Sequence, residues 1–202
     1  MKKFIDKCFQ EVPIKGIIHI GAHELQERKH YLKHGIGKIV WIEANGPLAA
    51  KYKERIDSTN EIIINHVIGR YDREDVIFRK SSNNECSSSV FEFSGHKEMY
   101  PHVKEKKCEK RMSFTLDYIL SIYNINPEDY NMLVLDCEGS ELNVLKGAGN
   151  YLKTCDYIIT EVAFTELWKG GCTFDQIDKC LTNNSCFENR THTDMFYVRN
   201  KK

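Results

Sequence analysis

Short apolar, β-branched runs alternate with amphipathic stretches along this chain. Gly16–Gly21 (GIIHIG), Lys38–Ile42 (KIVWI) and Glu61–Val67 (EIIINHV) read as strands. Between the first two, Glu24–His34 reads as a helix. Glu24 and Glu27 fall in its first turn, Lys29, His30, Lys33 and His34 lie toward its end, and Gly35 caps it. That order of charge suits the helix dipole. Pro47 stands where a first helical turn tolerates proline, and Leu48, Tyr52 and Ile56 follow at i, i+4 and i+8. The first 67 residues therefore predict β-α-β-α-β, a parallel sheet with right-handed crossovers.

The middle of the chain breaks the pattern. Lys80–Arg111 is polar, rich in Ser, Lys and Glu, and without a clean period. Its length predicts a functional or disordered connection, and we read 80–111 as a long inserted loop or lid on a single domain spanning 1–202. The stretch Lys104–Arg111 (KEKKCEKR) reads as solvated. Regularity returns with a helical stripe of Leu116, Ile119, Leu120 and Tyr123, then Asn131–Asp136 (NMLVLD), a strand buried on both faces. A helix over about Ser140–Lys146, a strand at Asp156–Val162 and a capping box at Thr173 and Gln176 follow. Cys186–Thr191 and Met195–Arg199 read as a β-hairpin through His192–Asp194. The total is about seven core strands, most parallel, with the last pair antiparallel.

Composition narrows the function. Lys plus Arg and Asp plus Glu both number 29, so the net charge is zero. That balance argues against binding nucleic acid or an anionic membrane through bulk charge. No apolar run approaches the length of a membrane span, and the basic N-terminus lacks the apolar stretch of a signal peptide. The eight cysteines form no CxxC motif and read as reduced thiols of a cytoplasmic protein. Their spacing with histidine matches no common zinc site, and no metal is expected.

Two constellations carry chemistry. In Ile17–Glu24 (IIHIGAHE) a strand runs through a glycine turn into a helix, and small residues at 21 and 22 allow close approach to the backbone. Glu43 follows 22 residues after Gly21 at the end of the second strand, where a carboxylate can accept from both hydroxyls of a ribose. Ala22-His23-Glu24-Leu25 leaves little room for a diphosphate. The local chemistry thus favours S-adenosyl-L-methionine over NAD. The second constellation is Leu135–Leu142 (LDCEGSEL), with Asp136, Glu138 and Glu141 at a strand end and helix start. Glu161, at another strand end, belongs to the same edge. Glu141 reads equally well as a first-turn helix acid.

Five segments resemble the FkbM-type methyltransferases, in that family's order: IIHIGAHELQERKHYLKHGIGKIVWIEAN, SSSVFEFSGHKEMYPHV, FTLDYIL, LVLDCEGSELNVLKGAGNYL and EVAFTELWKGGCTFDQID. The resemblance runs from about residue 16 to 198. It implies an α/β, Rossmann-like class I methyltransferase fold, a seven-stranded mostly parallel sheet with an antiparallel final hairpin and helices on both faces. It implies that Gly21, Ala22 and His23 line the methionine end of the cofactor, with Glu43 on the ribose flanked by Ala44 and Asn45. Val67 and Ile68 would edge the adenine, and Asp136 would sit by the sulfonium and amino group. The chain departs from the family pattern at His19, where an acid is common, at Leu25, where glycine is common, and at Val134, where lysine is frequent.

The expected reaction is methylation of a hydroxyl of a sugar, glycan or similar small acceptor, with Glu138, Asp136 and Glu161 as candidate bases in that order. His96 and His102 are further candidates if the 80–111 segment closes over the site, and Phe91, Phe93, Tyr100 and Trp168 are candidate packing aromatics. Two rival readings stand beside it: a cofactor-binding module of the same fold without turnover, and an NAD-dependent oxidoreductase. A homodimer is reasonable, since the acceptor site must come from strand-end loops, the lid or a neighbouring subunit.

Overall fold

Strands whose two faces are both apolar bury both, and that rule sets this architecture. The computed structural model describes residues 2–183, 187–189 and 195–200. In chain order the first elements are α1 (Lys2–Glu11), β1 (Ile17–Ile20), α2 (Arg28–Lys33), β2 (Ile39–Ile42), α3 (Gly46–Lys53) and β3 (Glu61–Ile64). An excursion follows: β4 (Val67–Ile68), β5 (Glu74–Ser81), β6 (Glu92–Phe93), α4 (Gly95–Met99) and β7 (Glu105–Phe114). The chain then returns through α5 (Leu116–Ile122), β8 (Met132–Leu135), α6 (Glu141–Lys146) and β9 (Tyr157–Thr160). It finishes with β10 (Trp168–Lys169), α7 (Phe174–Thr182), β11 (Phe187–Asn189) and β12 (Met195–Arg199).

Seven strands form one sheet in the order β11-β12-β9-β8-β1-β2-β3. Pairing from β3 to β9 is parallel, and β12 runs antiparallel to both β9 and β11. This is the mostly parallel sheet with an antiparallel final pair that the sequence predicts. Side chains alternate between two cores. Ile18, Ile20, Val40, Ile42, Leu133 and Leu135 face one, with Leu116, Ile119, Val144 and Ile177 of α5, α6 and α7. Ile17, Ile39, Trp41, Met132 and Val134 face the other, with Ile5 of α1 and Tyr31 of α2. His19 shares that second face. Its Nδ1 lies 2.9 Å from the Tyr31 hydroxyl and its ring packs on Trp41.

Several local expectations change. The helix after β1 begins at Arg28, not Glu24. His23 (φ +42°) and Leu25 (φ +55°) adopt left-handed backbone, which breaks a helix before it starts. The third strand stops at Ile64 because Asn65 donates from Nδ2 to the Glu43 (2.6 Å) and Ala44 (3.0 Å) carbonyls. The chain then enters a separate three-stranded sheet, β4-β7-β5. Residues 104–111 are not a solvated coil: Glu105 onward is β7, paired antiparallel with β5. Its charges are cross-strand partners, including Lys80–Glu109 at 3.2 Å. A mostly exposed charged ladder has no apolar alternation to betray it. The turn at His192–Asp194 lies outside the described residues.

Candidate active site

The parallel strands run outward in opposite senses of chain order from the neighbours β1 and β8, β1-β2-β3 to one side and β8-β9 to the other, and ligands of open α/β sheets bind beyond the carboxyl ends of strands at such a switch point. A cavity of about 230 Å³ opens there. Gly21, with φ +85°, turns the chain off β1. A Cβ at this position would lie inside the contact radius of the Asp136 carbonyl oxygen, so β1 and β8 approach this closely only over glycine.

Glu43 follows β2 and is 7% exposed. Its Oε2 accepts the His23 backbone N–H at 2.6 Å and its Oε1 the Asn45 backbone N–H at 2.6 Å. Burial raises the Glu43 carboxyl above its ordinary range while these two bonds pull it back. Both oxygens are thus fixed in place, and each keeps a second lone pair for a ribose hydroxyl. Val67, Ile68 and Phe78 form an apolar wall of the cavity, suited to a flat base. The donor set and this wall fit an adenosine cofactor.

Asp136, Glu138 and Glu161 line the same cavity and bring carboxylate oxygens within 4.8 Å of one another. Burial first, then the charge of Glu161, pushes Asp136 well above the usual carboxylate range, and the same causes act on Glu138. Glu138 (φ +53°) and Gly139 (φ +93°) occupy a tight left-handed turn. Glu141 braces it: the buried carboxylate accepts the backbone N–H groups of Cys137 (2.8 Å) and Gly139 (3.4 Å), and Cys172 Sγ lies 3.2 Å away. It therefore does more than answer a helix dipole.

Of the sequence-derived residues, Gly21, His23, Glu43, Ala44, Val67, Ile68, Asp136, Glu138 and Glu161 line the cavity. Ala22 does not; it packs in the core beside Leu25. Asn45 stands behind Glu43, its Nδ2 bonded to Glu85. His96 is buried against Phe93 and Trp168, and His102 is exposed; neither lines the cavity. Phe93 and Trp168 are buried in one small apolar cluster with Phe91 packed on it, and none of the three lines the cavity. Val134 lies in the apolar core, which gives no place there to the lysine frequent in the family.

The sequence reading missed Glu27, His66, Phe78 and Glu85, all on the cavity wall. Glu85 reaches it because the segment after β5 folds back over the cavity. There His23 Nε2 lies 2.8 Å from the Asn84 carbonyl, and Ser89 Oγ donates to the Glu138 carbonyl at 2.7 Å. Phe78 sits at an apolar point of VIFRK, a weak signal; Glu85 has no local signal at all.

The protein is a doubly wound α/β fold with, at its switch point, a cavity whose lining fits an adenosine cofactor. The chain belongs to the methyltransferase FkbM domain family, whose profile matches residues 19–188. It is an S-adenosylmethionine-dependent methyltransferase. Among solved structures it is similar to an O-methyltransferase from Bacillus cereus in complex with S-adenosylhomocysteine. That match has 13% identity and a TM-score of 0.53, and covers 98% of this chain and 80% of that one. It is also similar to an uncharacterized protein from Listeria monocytogenes, with 10% identity and a TM-score of 0.50 over 100% of this chain and 69% of that one. These likenesses speak to fold. No curated protein matches the sequence.

Proposed function

We propose that the protein methylates a hydroxyl oxygen of a sugar, glycan or similar small acceptor. The observation that carries this reading is the convergence of Asp136, Glu138 and Glu161 on the cavity that Gly21 and Glu43 also line. When bound, the cofactor supplies an electrophilic methyl group on a sulfonium. Glu43 would hold its ribose, and the turn at Gly21 would seat its methionine end. A hydroxyl is a poor nucleophile, and a carboxylate whose proton affinity is raised takes its proton more readily than an ordinary one. Glu138, on the braced turn, is our first choice of base, followed by Asp136 and Glu161.

The 80–111 segment supplies the lid on the acceptor side, as its Glu85, Cys86, Ser88 and Ser89 line the cavity. A cytoplasmic setting agrees with the free thiols of Cys86, Cys108, Cys137, Cys155, Cys172 and Cys180. Among the described residues no helix is long and apolar enough to cross a membrane.

Calorimetric titration with S-adenosylmethionine, S-adenosylhomocysteine and NAD tests the cofactor half. We expect the first two to bind, NAD to fail, and Glu43→Ala to weaken binding at least about tenfold. Transfer of labelled methyl to a panel of hydroxyl acceptors tests the other half. Glu138→Gln should lower turnover about 100-fold with cofactor affinity nearly intact. An unchanged rate, or loss of cofactor binding, removes Glu138 from that role.

A further inference from the structure

We propose that Arg111 is a positioning residue for the cofactor: from β7 it grips the peptide group whose N–H holds Glu43, and so aligns the ribose carboxylate. The inference rests on the cofactor reading above. Arg111 closes the charged stretch KEKKCEKR and pairs in register with Val76 of β5. Neighbouring charges pair across the two strands, as Glu109 does with Lys80. Arg111 instead spends its fork on residues near the end of β2. Its Nη1 donates to the Ala44 carbonyl, 67 residues earlier, at 2.6 Å, and its Nη2 to Asn65 Oδ1 at 3.3 Å. Arg111 itself does not line the cavity.

The Ala44–Asn45 peptide is trans, so its C=O and N–H point to opposite sides of one rigid plane. Arg111 and Asn65 Nδ2 (3.0 Å) hold the oxygen end. The nitrogen end donates to Glu43 Oε1 at 2.6 Å. Fixing one end fixes the tilt of the other, and a cation on the oxygen polarises the N–H, which strengthens the bond it gives. Arg111 also orients Asn65. With Oδ1 turned to the guanidinium, Nδ2 faces the carbonyls of Glu43 (2.6 Å) and Ala44. Two carbonyls of the loop that carries Glu43 are thus held from outside it. Without the fork the peptide plane is free to rotate, and the buried Glu43 carboxylate keeps only the His23 N–H at Oε2. The side chain then no longer presents both oxygens to the ribose. A lysine at this position brings a point charge but not the fork.

The test is calorimetric titration of the wild type, Arg111→Met and Arg111→Lys with S-adenosylhomocysteine and its 2′-deoxy analogue, with folding verified by thermal melting. The wild type should bind the 2′-deoxy analogue about tenfold more weakly. Arg111→Met should weaken S-adenosylhomocysteine about tenfold and shrink that penalty to within about threefold, with Arg111→Lys in between. An equal loss on both ligands, or wild-type affinities in Arg111→Met, overturns the positioning role and leaves the cofactor reading intact. If Arg111→Met does not fold, Arg111→Lys decides by the same ratio, and an undiminished penalty overturns the role. Equal binding of the two ligands by the wild type removes Glu43 from the ribose, and the role of Arg111 with it. No binding of either ligand by the wild type overturns the cofactor reading, and this inference with it.

Discussion

Gly21 carries two demands that no other side chain meets together: a backbone φ of +85° and contact with the Asp136 carbonyl where a Cβ would stand. Gly21→Ala must therefore push β1 and β8 apart at their carboxyl ends. We expect it to cost at least about 2 kcal/mol in urea unfolding and to abolish cofactor binding by calorimetry. His19 shows the opposite relation between sequence and site. It stands where the family commonly has an acid, yet it faces the helix-covered core rather than the cavity, bonded to Tyr31 and packed on Trp41. Its departure from the pattern leaves the cavity wall unchanged.

At the scale of elements, the turn between β8 and α6 is held from below by one buried carboxylate. Glu141→Ala leaves the Cys137 and Gly139 N–H groups without their acceptor, and a buried donor stripped of its partner costs roughly 1–3 kcal/mol. We expect a loss of about that size in urea unfolding, with Glu141→Gln recovering most of it through its carbonyl oxygen. The excursion from β4 to β7 is the element least expected from sequence. It forms its own small sheet and delivers Phe78, Glu85 and Ser89 to the cavity. β6 pairs with β10, tying this excursion to the loop after β9.

For the whole molecule, the buried ionisable groups set how stability varies with pH. Burial pushes the His19 imidazole down to about 3, so between that value and about 6.5 the unfolded chain binds a proton the native one does not. Stability from this group falls as pH drops below about 6.5, by up to about 1.4 kcal/mol per pH unit. Asp136 acts with the other sign. Its folded carboxyl is raised, so its contribution is complete below about pH 4 and is lost as pH rises through the folded value. Asp136→Asn should therefore stabilise the protein at pH 8, by about 1–2 kcal/mol, and give little at pH 4. Thermal melts of wild type, Asp136→Asn and His19→Asn across pH 4–8 check both signs. No stabilisation of Asp136→Asn at pH 8 would show that its carboxylate is not under strain.

What the sequence by itself determined is what local pattern encodes. GIIHIG, KIVWI and NMLVLD are apolar on both faces, so they form central parallel strands, and the glycine and acids at their ends fall at one sheet edge. Glu43, Asp136 and Glu161 were legible as candidates for that reason. Tertiary structure alone decided the rest. Ala22 turned into the core because His23 and Leu25 take left-handed backbone, which the run of residue types does not announce. β7 was hidden because its partners are charges across a ladder with β5 rather than an apolar face. Glu85 entered the cavity wall only through long-range contacts, with Asn45 beneath it and His23 bonded to Asn84 beside it. Periodicity reports which way a side chain faces within its own element; which distant side chains it meets is decided by how those elements pack.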